Sequence, residues 1–306
     1  ARNVLFGYHP KAQGAGWALL ERDIFLTSNP KKNFAGADFA RGARITGLIN
    51  LFRPSDVCIG PDGAIYVADW FDAKVGGHGT KDEAQTGAIY RIAPQGAELS
   101  IPRFDLTTTE GQIQALKNPS PNVRELGRAR LVASGEKGIP AIKTLLQDPN
   151  LFIRGRAIWA LAKMGPKGLK MVERQLADPN PKIRICAFRA LRHEEHNILT
   201  HAANLAKDPS PMVRREIALA MRYLPLEKSK DILLNIAQGY DGKDRFYLEA
   251  FGIGCTDKEA KMYPLLKKRS RGSNFDPIYS GLVWRLHPAS SIRELKKWAI
   301  NEKLDH

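Results

Sequence analysis

One arginine in the N-terminal third of the sequence has a side chain suited to binding an anion. Arg53 directly precedes a short segment, Pro54 to Ile59, that is typical of a β-strand. Its planar guanidinium offers two parallel donors that match a carboxylate, so Arg53 could hold an anionic ligand. The alternative is an ion pair with Asp56 or Asp69 that ties two strands together. The sequence leaves both interpretations open.

Three residues a little further along could bind a hard cation. Asp69 ends a predicted strand, and Asp72 and His78 follow in the loop beyond it. Carboxylate oxygens suit calcium, and loops at strand ends often carry binding residues. No compact D-x-D-x-D-G calcium loop accompanies them, and aspartates at such places also cap strands and form turns. Calcium binding by Asp69, Asp72 and His78 is therefore one of two interpretations.

A histidine cluster invites a metal-site interpretation. His193, His196 and His201 lie close together, with Glu194 and Glu195 between the first two. Imidazole and carboxylate groups are zinc ligands, but the segment is not HExxH, and its polar residues fall between two predicted helices. We interpret it as a solvated loop. The basic run from Lys267 to Arg271 is interpreted in the same way, although it could meet phosphate or an acidic protein.

A turn phrase recurs at a constant spacing. It reads NPSPNVR from Asn118, DPNLFIR from Asp148, DPNPKIR from Asp178 and DPSPMVR from Asp208. A fixed period in this range indicates a solenoid of stacked repeats. Proline ends one helix, and the polar residue before it can cap the next helix.

Each turn phrase ends in arginine, which creates a ladder of arginines and aspartates. We expect the arginines to pair with turn aspartates as structural ion pairs, and the alternative is a phosphate-binding stripe. The ladder comprises Arg124, Arg154, Arg184 and Arg214 with Asp148, Asp178 and Asp208. Apolar residues follow each turn at the i, i+4 and i+8 positions of a helix face, with a small residue in the middle of most of them. This column predicts the core of the repeats.

The residues before the repeats alternate like strands and break at glycines. Predicted strands are Val4 to Tyr8, Trp17 to Thr27, Pro54 to Ile59, Ala64 to Asp69 and Ala88 to Ile92. The ranges Lys31 to Gly47 and Gly76 to Thr86 are predicted to be long loops. Five strands leave edges unpaired, so we expect them to belong to a larger closed β-assembly. Fold class is therefore β followed by α, with residues 1–100 as the β part and 101–306 as an α-solenoid.

Composition and charge limit the function classes. The chain has 43% hydrophobic and 26% charged residues, and no apolar run is long enough to span a membrane. Three separated cysteines, without CxxC or CxxCH, predict small buried side chains and no haem-attachment motif. Residues 101–306 hold 36 basic and 22 acidic residues, an excess of +14, whereas residues 1–100 carry only +1. The start at Ala1, without an initiator Met or signal core, indicates a cut through a longer protein.

Several longer phrases resemble one family. FRPSDVCIGPDGAIYVADWFDAKVGGH from Phe52 and TGAIYRIAP from Thr86 resemble the closing blades of the six-bladed glucose/sorbosone dehydrogenase-like propeller. With DGKDRFYLEAFGIG from Asp241 and VWRLHP from Val283, the chain resembles PVC-type haem-binding proteins, also called membrane-bound dehydrogenase-domain proteins. The resemblance extends over nearly the whole chain.

The resemblance implies a quinoprotein-like ancestry, with pyrroloquinoline quinone and calcium as cofactors. It assigns Arg53 and Asp56 to quinone binding, because the family phrase Arg-x-Arg-Asp-Val matches here except that Ser55 replaces its second arginine. It also implies export to the periplasm, and the rest of the propeller and a cytochrome c module as partners. The early blades that carry the family's catalytic histidine are absent from this sequence, so no catalytic residue is assigned.

Three functions follow as alternatives. The chain could be the C-terminal part of an exported sugar dehydrogenase with the helical stack as a docking scaffold. It could instead be a non-catalytic interaction module, since the excess of +14 would attract acidic protein partners. Nucleic-acid binding is disfavoured, because no aromatic platform or known reader motif accompanies the basic residues.

Overall fold

The computed structural model describes residues 4–28, 52–70, 87–270 and 276–300. The chain forms two compact units. One contains Ala1–Lys11 and Leu19–Thr144, and the other contains Ala12–Ala18 and Leu145–His306. The predicted domain boundary near residue 100 lies where strands give way to helices, whereas the compact units divide at Thr144. The predicted long loops, Lys31 to Gly47 and Gly76 to Thr86, lie outside the described residues.

The described strands form two small sheets. The first pairs β1 (Val4–Gln13) with β2 (Gly16–Thr27), and the second has the antiparallel order β3 (Pro54–Ile59), β4 (Ile65–Asp69), β5 (Ala88–Ile92). All five predicted strands are confirmed, with β1 extending beyond its predicted end. The six-bladed propeller is not seen in the described ranges and stays a prediction.

The turn between β3 and β4 shows why this sheet forms. Gly60 donates its N–H to the Ala64 carbonyl at 2.9 Å, and Asp62 Oδ1 accepts the Ala64 N–H at 3.1 Å. Gly63 has φ +83°, a left-handed conformation that glycine adopts at no steric cost. The predicted Gly-Pro-Asp-Gly turn is confirmed.

Thirteen α-helices follow in the described residues. They are α1 (Thr109–Lys117), α2 (Pro121–Ala133), α3 (Ile139–Lys143), α4 (Leu151–Ala162), α5 (Gly165–Arg174), α6 (Pro181–His193), α7 (Ile198–Leu205), α8 (Pro211–Ala220), α9 (Leu226–Gln238), α10 (Arg245–Gly254), α11 (Glu259–Arg269), α12 (Pro277–Leu286) and α13 (Ile292–Ala299). None of them is long and apolar enough to cross a membrane.

The helices that follow the turn phrases repeat with the predicted period. α2, α4, α6 and α8 begin at equal intervals along the chain, at Pro121, Leu151, Pro181 and Pro211. The later first helices, α10 and α12, begin at slightly wider intervals, at Arg245 and Pro277, as expected for atypical terminal pairs. The turns thus set the repeat period, and in three of these four helices proline occupies the first helical position, where its fixed φ favours a helix start.

The capping of these helices differs from the prediction. Asp178 does not cap α6 itself. Its Oδ1 accepts the N–H of Asn180 at 2.8 Å, and Asn180 is the N-cap residue, whose side chain accepts the Lys182 N–H at 2.9 Å. The aspartate therefore shapes the turn, and the residue two positions later caps the helix, which frees the second aspartate oxygen for another partner.

The predicted apolar column lies in the core. Its middle and last members are buried in all four repeats, and the small residues allow close helix approach. Gly127 on α2 shows this most sharply, since a Cβ there would lie 2.5 Å from the Gln112 carbonyl of α1. The second helix of that repeat is broken, with 3₁₀ turns at Gly135–Gly138 and Thr144–Gln147 on either side of α3.

The three cysteines have different surroundings. Cys255 is buried, and burial raises the pKa of its thiol to about 12. Cys186 is partly buried, and burial raises the pKa of its thiol to about 11. Cys58 is exposed on β3, so the prediction of three buried cysteines was wrong for this residue. The whole of β3 from Ser55 to Ile59 is exposed, so neither face of this edge strand is covered by the described residues.

Candidate docking surface

Arg53, the predicted anion-binding residue, lies at the start of β3 beside the end of β4. Its backbone N–H donates to Asp69 Oδ1 at 2.7 Å, and its carbonyl accepts the Trp70 N–H at 3.0 Å. Tyr90 on β5 donates its hydroxyl to Asp69 Oδ2 at 3.4 Å, and burial together with this carboxylate raises the pKa of Tyr90. Arg53 and Asp69 are both buried. The sheet thus brings them together and uses the carboxylate to tie its three strands.

The other residues predicted to bind quinone or calcium are more dispersed. Asp56 is exposed on β3, where its Oδ1 accepts the N–H of Val57 at 2.7 Å. The register of β3 against β4 shifts between Pro54 and Asp56. Asp72 and His78 lie outside the described residues. Quinone binding by Arg53 and Asp56 and calcium binding by Asp69, Asp72 and His78 therefore stay predictions.

The arginine–aspartate ladder joins successive repeats. Arg184 donates from Nε to Asp208 Oδ2 at 2.8 Å and from Nη2 to Oδ1 at 2.7 Å, and both side chains are buried. Arg184 Nη1 donates to the carbonyls of Asp178 and Pro179 at 2.8 and 3.0 Å. Asp208 Oδ1 also accepts the Ser210 N–H at 2.8 Å. An arginine of one repeat therefore closes its own turn and binds the aspartate of the next.

The ladder continues in the repeat before. Arg154 Nη2 forms an ion pair with Asp178 Oδ2, and the two side chains are 16% and 11% exposed. Asp148 begins this turn, and its Oδ1 accepts the Asn150 N–H at 2.9 Å. The same residue types at the same spacing thus pair again between successive repeats, although Arg154 Nε, unlike Arg184 Nε, has no hydrogen-bond partner in the described part of the chain.

At Arg214 the partners change. Gln238 stands where the next turn aspartate would be, and Arg214 donates instead to the Gly239 carbonyl and the Tyr247 hydroxyl, each at 3.0 Å. It also donates to the carbonyls of Asp208 and Pro209. Because the guanidiniums of Arg184 and Arg214 are occupied by protein acceptors, the geometry disfavours a phosphate-binding stripe.

The tip of the β1–β2 hairpin, Ala12–Ala18, packs against helices of the second unit. Ala15 is fully buried and donates its N–H to Asp244 Oδ2 at 2.6 Å, while its carbonyl accepts a hydrogen bond from Arg215 Nη1. Asp244 Oδ1 also caps α10 by accepting the Tyr247 N–H at 3.0 Å. Residues of α8 and α10 therefore hold the turn of this hairpin through its backbone.

Two glycines allow this close approach. A Cβ at Gly14, where φ is +54°, would lie 2.2 Å from Asp244 Oδ2. A Cβ at Gly16 would lie 2.2 Å from the ring of Phe246. Side chains at either position would displace the tip from the helices.

Five exposed cations lie on the last two second helices. We call them the terminal basic surface: Lys268, Arg269, Arg293, Lys296 and Lys297. Within the described ranges, none of them forms an ion pair with a carboxylate. The three on α13 occupy positions i, i+3 and i+4 and so share one helix face. Their placement in helices corrects the loop prediction for Lys267 to Arg269, which form the last turn of α11.

Glu294 connects α13 to its neighbours and does not neutralise this surface. Its Oε2 accepts hydrogen bonds from the hydroxyls of Tyr263 and Tyr279 and from Lys267 Nζ, the last two at 3.2 and 3.4 Å. Burial, reinforced by this carboxylate, raises the pKa of both tyrosines, which keeps them as donors. Lys267 balances the charge of Glu294, so the other five cations remain uncompensated.

An apolar pocket opens beside these cations. Its volume is about 140 Å³, and its wall is formed mainly by Leu234 of α9, Leu266 of α11 and Tyr279 and Leu282 of α12. Arg269 also lines it. Tyr279 contacts the ring of Trp298 on α13 edge-on, with 5.8 Å between ring centroids. The pocket is large enough for a leucine-sized side chain, and its charged lining residues are Arg269 and Asp276.

The histidine cluster is not simply a solvated loop. His196 Nε2 lies 3.0 Å and His201 Nε2 lies 3.3 Å from Glu173 Oε1, a carboxylate of the preceding repeat. Burial would raise the pKa of Glu173, but hydrogen bonds from Asn197 and His196 lower it. Burial lowers the pKa of the His201 imidazole, against the opposing effect of Glu173.

His193 lies apart from this group. It contacts the Trp159 ring edge-on, and its Nδ1 is 2.9 Å from Glu194 Oε1. The sequence interpretation therefore grouped His193 with its chain neighbours and missed Glu173. The repeat period was the available signal, since Glu173 precedes His201 by nearly one period, which places residues on neighbouring second helices.

The comparisons with known proteins bear on the helical part. The HEAT-repeat family model matches residues 109–192, from α1 through α6. These helices are HEAT repeats. Among solved structures, the crystal structure of an engineered protein from a structural genomics consortium is 15% identical, with a TM-score of 0.31, covering 58% of this chain and 96% of that chain. At that TM-score the likeness says nothing about function. No curated protein matches the chain.

HEAT repeats suggest an interaction scaffold, because each repeat stacks only on its neighbours and the stack presents long surfaces. The small β-region precedes them along the chain, as predicted. The HEAT match supports the helical part of the resemblance, and its dehydrogenase and haem-binding part stays a prediction.

Proposed function

We propose that the HEAT repeats form a docking scaffold for an acidic protein segment that carries an apolar anchor residue. The observation that carries this proposal is the terminal basic surface beside the pocket of about 140 Å³. Uncompensated cations attract acidic partners and speed their encounter, and a small apolar pocket gives one side chain a place to be buried.

The hairpin tip supports the same function by example. Ala15 is bound through its backbone N–H and carbonyl, by Asp244 and Arg215. One aspartate at the start of α10 and one arginine of α8 thus already hold a turn of protein chain by its backbone. Such backbone contacts supply affinity, whereas a pocket and charges supply specificity.

The proposal can be tested with a fluorescein-labelled peptide of alternating Glu and Asp with one central Leu. We expect saturable binding by fluorescence anisotropy, weakened by salt because the cations are exposed. The charge swap K296E/K297E should weaken binding about tenfold, which corresponds to about 1.4 kcal/mol. The matched swap K228E/K230E, at two exposed lysines of α9, should leave it nearly unchanged.

Two results would count against acidic-protein docking. One is equal binding by the two charge-swap variants. The other is binding of duplex DNA at low salt without any binding of the peptide, which would instead favour nucleic acid as the partner. Replacing Leu by Ser in the peptide tests the pocket separately, since only the apolar contact is lost.

We also propose, on the sequence resemblance alone, that this scaffold is attached to a quinoprotein-like dehydrogenase of the periplasm, with a cytochrome c module as a partner. The antiparallel order β3–β4–β5, which a propeller blade shares, is compatible with this proposal. Equilibrium dialysis with pyrroloquinoline quinone and Ca²⁺ tests it. We expect the wild-type protein to retain the quinone and the Arg53→Gln variant to lose it. If the wild-type protein does not retain the quinone, the proposed binding role of Arg53 and Asp56 is wrong.

A further inference from the structure

Glu173, His196 and His201 converge from two successive repeats. Glu173 lies in the last turn of α5, His196 lies between α6 and α7, and His201 lies in the first half of α7. One ligand-type atom from each residue lies within 4.8 Å of the other two. We propose that these three residues bind a late first-row divalent metal ion of the Zn²⁺ type, with water completing the coordination.

The distances suit such an ion. Zinc binds imidazole nitrogen and carboxylate oxygen at about 2.0–2.1 Å, so two ligand atoms of a tetrahedral site lie about 3.4 Å apart. The carboxylate Oε1 of Glu173 lies 3.0 Å from His196 Nε2 and 3.3 Å from His201 Nε2. Small side-chain shifts would therefore bring all three atoms to coordination distance of one centre.

One atom of the group is left without a hydrogen bond. His201 Nε2 is buried and meets no acceptor with good hydrogen-bond geometry within the described part of the chain, although Glu173 Oε1 lies 3.3 Å away. A hydrogen-bonded pair of Glu173 and His196 would explain two members of the cluster but not this nitrogen. A metal ion would satisfy it, because neutral imidazole donates a lone pair.

The backbone around His196 is held in place. Glu195 and Asn197, on either side of it, have left-handed φ angles of 53° and 48°. The His196 N–H donates to the Leu191 carbonyl at 2.9 Å, closing the C-terminus of α6. Asn197 Nδ2 is 3.4 Å from Glu173 Oε1 and so helps to orient the carboxylate. A fixed ligand position lowers the entropy cost of binding a metal.

The ligand types select the ion. Two imidazoles with one carboxylate favour Zn²⁺ and its neighbours in the first transition row, whereas Ca²⁺ and Mg²⁺ prefer all-oxygen sites. The side chains of His196 and Glu173 are each 30% exposed, so water can reach the remaining coordination positions. Because α5 belongs to one repeat and the other two ligands to the next, a bound ion would link neighbouring repeats.

Two titrations of the purified chain test the proposal. Zn²⁺ binding is measured by isothermal titration calorimetry, and Co²⁺ binding is measured by visible absorption. We expect one equivalent to bind, the melting temperature to rise with metal concentration, and no effect from Mg²⁺. Glu173→Gln, His196→Gln and His201→Gln should each weaken Zn²⁺ binding by about tenfold or more. His193→Gln is the matched control, with a histidine in the same region outside the cluster, and should bind as the wild type does.

A second measurement avoids dependence on variant folding. In the wild-type protein, Zn²⁺ should shift the ring resonances of His196 and His201 in a histidine-selective NMR spectrum and leave those of His193 unchanged. Absence of saturable binding would overturn the proposal. So would weak binding of several equivalents, or equal losses in His193→Gln and His201→Gln, because these results indicate adventitious surface coordination. The peptide-docking experiment does not involve these residues, so either proposal can fail alone.

Discussion

The buried pair of Arg184 and Asp208 offers the most direct test of how the repeats are held together. Arg184→Met keeps an unbranched apolar stem but removes the guanidinium. The change eliminates two charged hydrogen bonds to Asp208 and two bonds to the carbonyls of Asp178 and Pro179. It also leaves the Asp208 carboxylate, a residue only 7% exposed, without its counter-charge.

The expected cost follows from this burial. Removing one partner of a buried ion pair destabilises a protein by about 3–5 kcal/mol, since the remaining charge stays desolvated. Exposed pairs contribute only about 0.2–1 kcal/mol. Arg128 on α2 provides the matched control, because it forms a bidentate i, i+3 pair with Glu125, whose side chain is 58% exposed. Arg128→Met should therefore cost less than about 1 kcal/mol.

Urea unfolding, followed by far-ultraviolet circular dichroism, measures both changes. Because repeat arrays can unfold in steps, the midpoint of the urea transition should be measured together with amide hydrogen exchange in α6 and α8. The double variant R184M/D208N removes both charges, and we expect it to be more stable than the sum of the single losses by about 1–3 kcal/mol. Equal shifts for Arg184→Met and Arg128→Met, or strict additivity in the cycle, would show that the ladder does not couple the repeats.

Three further predictions concern other parts of the chain. Cys58 should react with Ellman's reagent in the folded protein well before Cys186 and Cys255, because burial keeps those two as protonated thiols, and equal rates would contradict the described burial. Asp244→Asn should speed amide exchange at Ala15, since Ala15 and Tyr247 donate to different oxygens of Asp244 and the amide replaces one of these acceptors by an NH2 donor, while Asp276→Asn, where one acceptor oxygen suffices, should leave exchange at the start of α12 unchanged. The backbone N–H groups of Asp244 and Lys243 lower the pKa of Asp241, so this residue contributes stability above its unfolded pKa near 3.8 that is lost as the pH falls through its folded pKa. The difference in free energy of unfolding between the wild type and Asp241→Asn should therefore shrink as the pH is lowered below about 4. A difference that stays constant over this acid titration would refute the prediction.

Local chemistry made much of the fold predictable. The turn phrases from Asn118 to Arg214 fixed where helices begin, because proline and a polar side chain act within a few residues of their own position. Strands β3, β4 and β5 were predicted within one residue of their ends for the same reason, since alternation and the Gly60 to Gly63 turn are local signals. The core column was also evident, because a helix face repeats at fixed spacing.

Contacts between distant segments were not predictable in the same way. The sequence places Ala15 and Asp244 far apart, and nothing near either residue indicates that one binds the other. The exposure of Cys58 depends on which strands cover β3, and the pocket depends on how α9, α11 and α12 meet. Such features arise from the packing of elements, which local patterns do not encode.

The candidate sites show the same division. The sequence by itself determined a HEAT-like repeat with a basic excess, because period, turn chemistry and charge can be counted along the chain. Only the tertiary structure decided that His196 and His201 meet Glu173 rather than Glu194, and that Arg184 binds Asp208. Stacking brings each residue next to one about a repeat away, and hydrogen-bond geometry, which acts over about 3 Å, then selects its partner.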